Sequence, residues 1–150
     1  MDFKEMQKKL YKLGYSNNIK AEIEKEIKSI KADCQSLREY QAVVIDDMPH
    51  STTINDTVGN TAVKIIDIYE KRIAELMDKL EKQVIEKNKL LNLISELSIE
   101  EQNVLRAKYI DGLRWEYIPG KINICRTVCF EKHKKAVNKL IKMWDNKNTD

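Results

Sequence analysis

Between Ala62 and Leu97 the chain repeats an alternating step of four and three residues: Ala62, Ile66, Tyr69, Ile73, Leu76, Leu80, Gln83, Lys87, Leu90, Ile94 and Leu97. A helix turns once in about 3.6 residues, so this spacing keeps every named side chain on one narrow stripe, which neither a strand nor a loop would do. Lettered as heptads, Ile66, Ile73, Leu80, Lys87 and Ile94 take the a positions of a coiled-coil seam, and Ala62, Tyr69, Leu76, Gln83, Leu90 and Leu97 the d positions. Gln83 and Lys87 interrupt its apolar run once. At about 1.5 Å per residue such a helix exceeds roughly 50 Å and needs a partner surface.

That partner is either another chain or a segment of this one, and a suitable segment lies earlier in the chain. Ile23, Ile27, Ile30, Cys34, Leu37 and Val44 form a second stripe at helical spacing. The polar run over about 46–60, with Pro49 inside it, reads as a linker across which the first helix folds back antiparallel onto the second. Its Asp46-Asp47 pair reads as a helix terminator or solvated turn rather than as paired catalytic carboxylates. Gly14 divides a short amphipathic segment (Phe3, Met6, Leu10, Leu13) from the longer helix. A fold-back helix that starts near Asn17 runs out near Lys87 and leaves the seam from Leu90 to Leu97 uncovered. That apolar end predicts a homodimer.

After Leu97 the pattern changes to short segments with clear local punctuation. Ser98 followed by Glu101 is a capping box, so a helix opens there; Asp111-Gly112 closes it, because glycine accepts the left-handed conformation of a helix C-terminus. Residues 114–122 read as one short helix with Trp115, Ile118 and Ile122 on one side, and Asn123 as a turn residue tolerant of positive φ. From Cys125 to Trp144 a longer helix carries Cys129, Ala136, Val137, Leu140, Ile141 and Trp144 on one stripe, with a basic opposite face. The division is therefore a helical hairpin over residues 1–97 and a three-helix domain over 98–150.

Charge is localised in the second part. From Leu97 to Trp144 ten Lys/Arg stand against five Asp/Glu, about +5, whereas the remainder (17 minus 19) is about −2. In the last helix Arg126, Lys132, Lys134, Lys135, Lys139 and Lys142 face only Glu131, the cationic footprint of a surface that neutralises phosphates.

The order and spacing of Leu97 to Leu105, Tyr109 to Ile118, Ile122 to Thr127 and Ala136 to Leu140 resemble the DNA-binding fourth region of bacterial sigma-70 factors. Three positions depart from that pattern. Pro119-Gly120 stands inside the scaffold helix and should kink or shorten it; Cys125, a weak acceptor, takes the usual Ser/Thr N-cap; Asn123 replaces the turn glycine. Carried over by position, the resemblance implies that Cys125, Arg126, Thr127, Phe130 and Glu131 face base edges and that Lys134 and Lys135 contact phosphate. Arg126 is the candidate for two parallel hydrogen bonds to guanine. The turn Met48-Pro49-His50-Ser51, followed by residues 55–65 and a long charged helix, is similar to phage late transcriptional regulators of the ArpU/RinA type. That likeness implies a phage or prophage activator of late genes in a bacterial cytoplasm, bound to double-stranded promoter DNA, with host RNA polymerase as a further partner. Two other readings use the same pattern: a small terminase subunit for DNA packaging, and a polymerase-binding module that does not touch DNA.

Four glycines, two prolines, 34% charged and 42% hydrophobic residues suit an all-α protein. No apolar run approaches the roughly 18 residues of a membrane span, and Met1-Asp2-Phe3-Lys4 lacks an apolar signal core, so a cytoplasmic protein without a membrane partner is expected. The three cysteines, 34, 125 and 129, form no even disulfide framework and fit a reducing compartment. The expectation is no enzyme and no cofactor: phosphate-binding glycine loops, His-Glu-x-x-His and Gly-x-Ser-x-Gly are all missing from the sequence. Cys125, Cys129 and His133 share a helix face, but successive turns spread them over about 12 Å, too far to meet on one metal, so they read as core residues.

Overall fold

The computed structural model describes residues 1–46 and 57–149, with side chains described for 1–39 and 60–149. All regular structure among them is helical: α1 (Phe3–Asp46), α2 (Thr57–Ser95), α3 (Ile99–Leu105) continued by one π turn (Arg106–Ile110), α4 (Ile118–Ile122) and α5 (Arg126–Asn148). The Met48-Pro49-His50-Ser51 turn, Asp47 and the Val44 side chain lie outside the described residues. α2 opens at Thr57, several residues before the expected end of the linker.

The chain packs as two compact units that do not follow a boundary at Leu97. One is Ile19–Lys82; the other joins Met1–Asn18 to Gln83–Asp150. Within Ile19–Lys82 the two long helices run antiparallel, held by ion pairs from Arg72 to Glu26 at 3.0 Å and from Arg38 to Glu70. Ile23 and Cys34 are buried there with Ala62, Ile66 and Leu76, while Tyr69, Ile73 and Leu80 are half-buried. The heptad seam is thus an intramolecular surface in this unit.

In the other unit the N-terminal segment is part of the core. Met6, Leu10 and Leu13 pack with Leu90, Leu93 and Ile94 of α2 and Leu97 just beyond its end, with Leu105 and Tyr109, and with Ala136, Val137, Leu140 and Trp144 of α5. Fully burying such side chains contributes about 1.5–3 kcal/mol each. The end of the seam from Leu90 to Leu97 is therefore covered within the chain, which removes the apolar exposure that argued for a homodimer. Polar contacts follow the same packing: Lys9 and Lys12 bind Glu86, and Lys87 donates to Asn17 at 2.9 Å.

α1 does not break at Gly14. A Cβ at that position would stand 2.1 Å from the Tyr109 carbonyl oxygen, closer than any side-chain carbon can approach backbone. Glycine is required here by the close approach of two backbones, although mid-helix it costs about 0.5–1 kcal/mol relative to alanine.

Candidate nucleic-acid interface

Local capping sets the start of α3. Ser98 is extended (φ −63°, ψ 153°), its hydroxyl accepts from the Glu101 N–H, and the Glu101 carboxylate accepts from the Ser98 N–H at 3.2 Å. Glu101 is buried, and Lys139 of α5 donates to both its oxygens at 2.7 and 3.0 Å. Burial pushes the Glu101 carboxyl up, but the Lys139 ammonium and the Ser98 bonds outweigh it and hold the group below its ordinary value. Beyond Leu105 the helix widens. The Asp111 N–H donates to the Arg106 carbonyl at 2.9 Å, a five-residue step, and Gly112 at φ +66° ends the turn.

This π turn carries Tyr109 into the core, where its Oη shares a hydrogen bond with His133 Nε2 at 2.7 Å. The His133 ring is buried among Tyr109 (5.7 Å, stacked), Trp115 (4.9 Å, edge-on) and Phe3 (6.2 Å, edge-on). Burial, helped by the Lys108 ammonium, brings the imidazole down to about 4, and burial takes the Tyr109 phenol up to about 12. Both are uncharged at neutral pH.

α4 is shorter than expected. It begins at Ile118 rather than near Arg114, with Pro119 in its first turn, where a missing N–H leaves no bond unmade. Asn123 then takes the left-handed conformation (φ 53°, ψ 41°), ending α4 two residues before α5 begins after Cys125. A small core of Ala107, Ile118 and Cys129, flanked by Leu113, Trp115, Ile122 and Ile124, fixes α4 against α5. Cys125 occupies the N-cap of α5 without a side-chain cap bond, as expected of a thiol.

The core reading of the cysteine and histidine row holds for Cys129 and His133 and fails for Cys125, which is exposed. The Cys129 Sγ–H points to the Ile124 carbonyl at 3.6 Å, and burial pushes that thiol up.

The outer face of α5 brings the candidate residues together. Arg126, Thr127, Phe130, Glu131, Lys134 and Lys135 are all exposed, at one-turn intervals on two adjacent rows, with Cys125 just ahead of the helix. The basic face is smaller than its composition suggests. Lys132 pairs with Glu100 and Lys139 with Glu101, both on α3, so these two cations are neutralised inside the chain. Arg126, Lys134, Lys135 and Lys142 carry no carboxylate partner among the described residues. In sequence Lys132 and Lys139 look like their neighbours; only the position of α3 separates them. Trp115 and Lys108, absent from the expected set, join this face: the Trp115 ring lies 4.6 Å from that of Phe130, with the Lys108 ammonium 5.3 Å above it.

These features define an all-α protein whose short C-terminal helices present one basic, aromatic helix face. Residues 49–141 match the model of the DUF1492 family, described as proteins of unknown function, and the chain belongs to that family. No curated protein and no solved structure matched the chain. No helix among the described residues is long and apolar enough to cross a membrane.

Proposed function

We propose that the chain is a sequence-specific DNA-binding protein that enters the major groove with α5, and that it serves as a phage or prophage transcriptional regulator of the sigma region 4-like kind. The observation that supports this best is the sorting of cations on α5. Those turned toward α3 are neutralised by Glu100 and Glu101, whereas Arg126, Lys134, Lys135 and Lys142 keep their charge on the outer side. The left-handed turn at Asn123 supports the same reading, since it joins α4 to α5 tightly enough for α5 to stand forward of its scaffold. In this arrangement Arg126, Thr127, Phe130 and Glu131 face base edges, and Lys134 and Lys135 meet phosphates.

Equilibrium binding of the full chain to a random-sequence duplex, measured from about 50 to 200 mM salt, tests the electrostatic part. Each phosphate neutralised adds about −0.9 to the slope of log K against log salt, so Lys134, Lys135 and Lys142, with Arg126 turned to a base edge, predict a slope of roughly −2 to −3. Absence of binding at the lowest salt would favour a polymerase-binding module that does not touch DNA.

A further inference from the structure

We propose that Phe130 reads the 5-methyl group of a thymine lying within two base pairs of the base that Arg126 contacts. This rests on the DNA-binding reading above and adds the chemistry of one position in the site. Phe130 is 40% exposed on the outer face of α5, one turn beyond Arg126. It is not a lone surface apolar residue. Trp115 supports its ring from behind at 4.6 Å; Trp115 is in turn held edge-on by the buried His133 at 4.9 Å and covered by Lys108. The phenyl ring is thus presented in a set position rather than left to rotate, and little rotamer freedom is lost when something covers it.

What covers it is constrained by its neighbours. Arg126 places its guanidinium carbon 5.7 Å from the Phe130 ring centre, and Lys134 and Lys135 follow on the same face without carboxylate partners among the described residues. An apolar protein surface would leave these cations desolvated, whereas the DNA major groove is anionic at its rims. Among the groups on its floor the thymine methyl is the apolar one, and a phenyl ring is a suitable contact for it. The 5.7 Å between guanidinium and ring compares with about 3.4 Å per base along a strand, which sets the limit of two base pairs. A guanine read by Arg126 and a nearby thymine read by Phe130 then form one recognition element.

Selection from a random duplex library with the full chain supplies the site, and the selected duplex is resynthesised with deoxyuridine in place of thymine, which removes only the methyl groups. The expected motif holds a G·C pair with a T·A pair within two positions, and the uridine duplex should bind about three- to fivefold more weakly, the effect of one buried methyl. Phe130→Ala should bind the two duplexes equally and keep the guanine preference while losing the thymine. A selected motif with equal thymine and uridine affinities in the wild-type chain, or one without a thymine near the guanine, would overturn the inference and leave the DNA-binding reading standing. Failure to enrich any motif, together with no binding to random duplex at low salt, would overturn both. A thymine-over-uridine difference in the wild-type chain is assigned to Phe130 by its loss in Phe130→Ala or, should that variant fold poorly, in Phe130→Gln; a difference that persists in a folded variant would overturn the inference.

Discussion

Lys139 reaches from α5 to Glu101 on α3 and donates to both carboxylate oxygens, at 2.7 and 3.0 Å, while Glu101 also closes the capping box with Ser98. One carboxylate therefore starts a helix and fastens it to the helix that carries the candidate interface. Lys139→Met should cost about 1–3 kcal/mol at neutral pH, the range for losing a hydrogen bond to a buried charged group. Because the folded state holds the Glu101 carboxyl below its ordinary value of 4.5, this contribution is present above about that pH and lost as the pH falls below it. Denaturant midpoints should thus differ between wild type and variant at neutral pH and converge in acid below the ordinary glutamate range. A difference that stays constant across that range would contradict this role for the pair.

Gly14→Ala should destabilise the protein even though alanine is the better helix former. The new methyl group would meet the Tyr109 carbonyl oxygen at 2.1 Å, and overpacking of this kind costs about 1–3 kcal/mol, more than the roughly 1 kcal/mol gained in helix propensity. Thermal melts of the variant check this, and a peptide of residues 3–20 carrying the same change should become more helical. A raised melting temperature in the whole protein would show that the backbones separate at little expense.

Buried His133 gives stability a dependence on mild acid. Its folded pKa lies at about 4, below the ordinary 6.5, so the unfolded chain binds the extra proton first. The stabilising effect of keeping it neutral is complete above about 6.5 and is lost as the pH falls from there toward about 4. The loss is on the order of 2–3 kcal/mol. His133→Gln, which can still meet the Tyr109 hydroxyl, should flatten this stretch of the stability profile. An unchanged slope in the variant would assign it to other groups.

Because Leu10 is fully buried with Met6 and Leu13 against α2 and α5, Leu10→Ala should cost about 2–5 kcal/mol and lower the stability of the C-terminal helices. Hydrogen exchange at the amides of α5 reports this directly. A fragment of residues 97–150, which looks self-contained in sequence, should be less stable than the full chain for the same reason. Equal protection of α5 in fragment and full chain would mean that the N-terminal segment packs there without contributing.

Under the DNA-binding proposal, Arg126 and Lys135 should fail differently when removed. Arg126→Ala is expected to cost about 1–3 kcal/mol on a selected site and to relax preference at one position, with random-duplex affinity nearly unchanged. Lys135→Ala should weaken both kinds of DNA alike and reduce the salt slope by about one unit. Neither residue carries an ion pair among the described residues, so both changes should leave the folding stability within about 0.5 kcal/mol of wild type. Absence of an effect on either DNA would move the interface away from this face.

The sequence by itself determined the features that depend on a few neighbouring residues. The capping box at Ser98 and Glu101, the left-handed turn at Asn123, the weak cap at Cys125 and the shortening of α4 by Pro119 all arise from bonds or steric limits within a turn or two. The heptad spacing from Ala62 to Leu97 likewise marked the buried stripe of α2, because helical periodicity is the same whatever the partner. Only the tertiary structure decided what occupies that stripe and what remains free. Gly14 reads as a helix divider until the Tyr109 carbonyl is found against it, and Leu90 to Leu97 read as an open end until Met6, Leu10 and Leu13 cover them. Lys132 and Lys139 cannot be told from Lys134 and Lys135 until α3 brings Glu100 and Glu101 alongside. The π turn at Tyr109 leaves no mark in residue spacing. Each of these depends on contact between segments far apart in the chain, where packing and charge pairing, not local propensity, set the free energy.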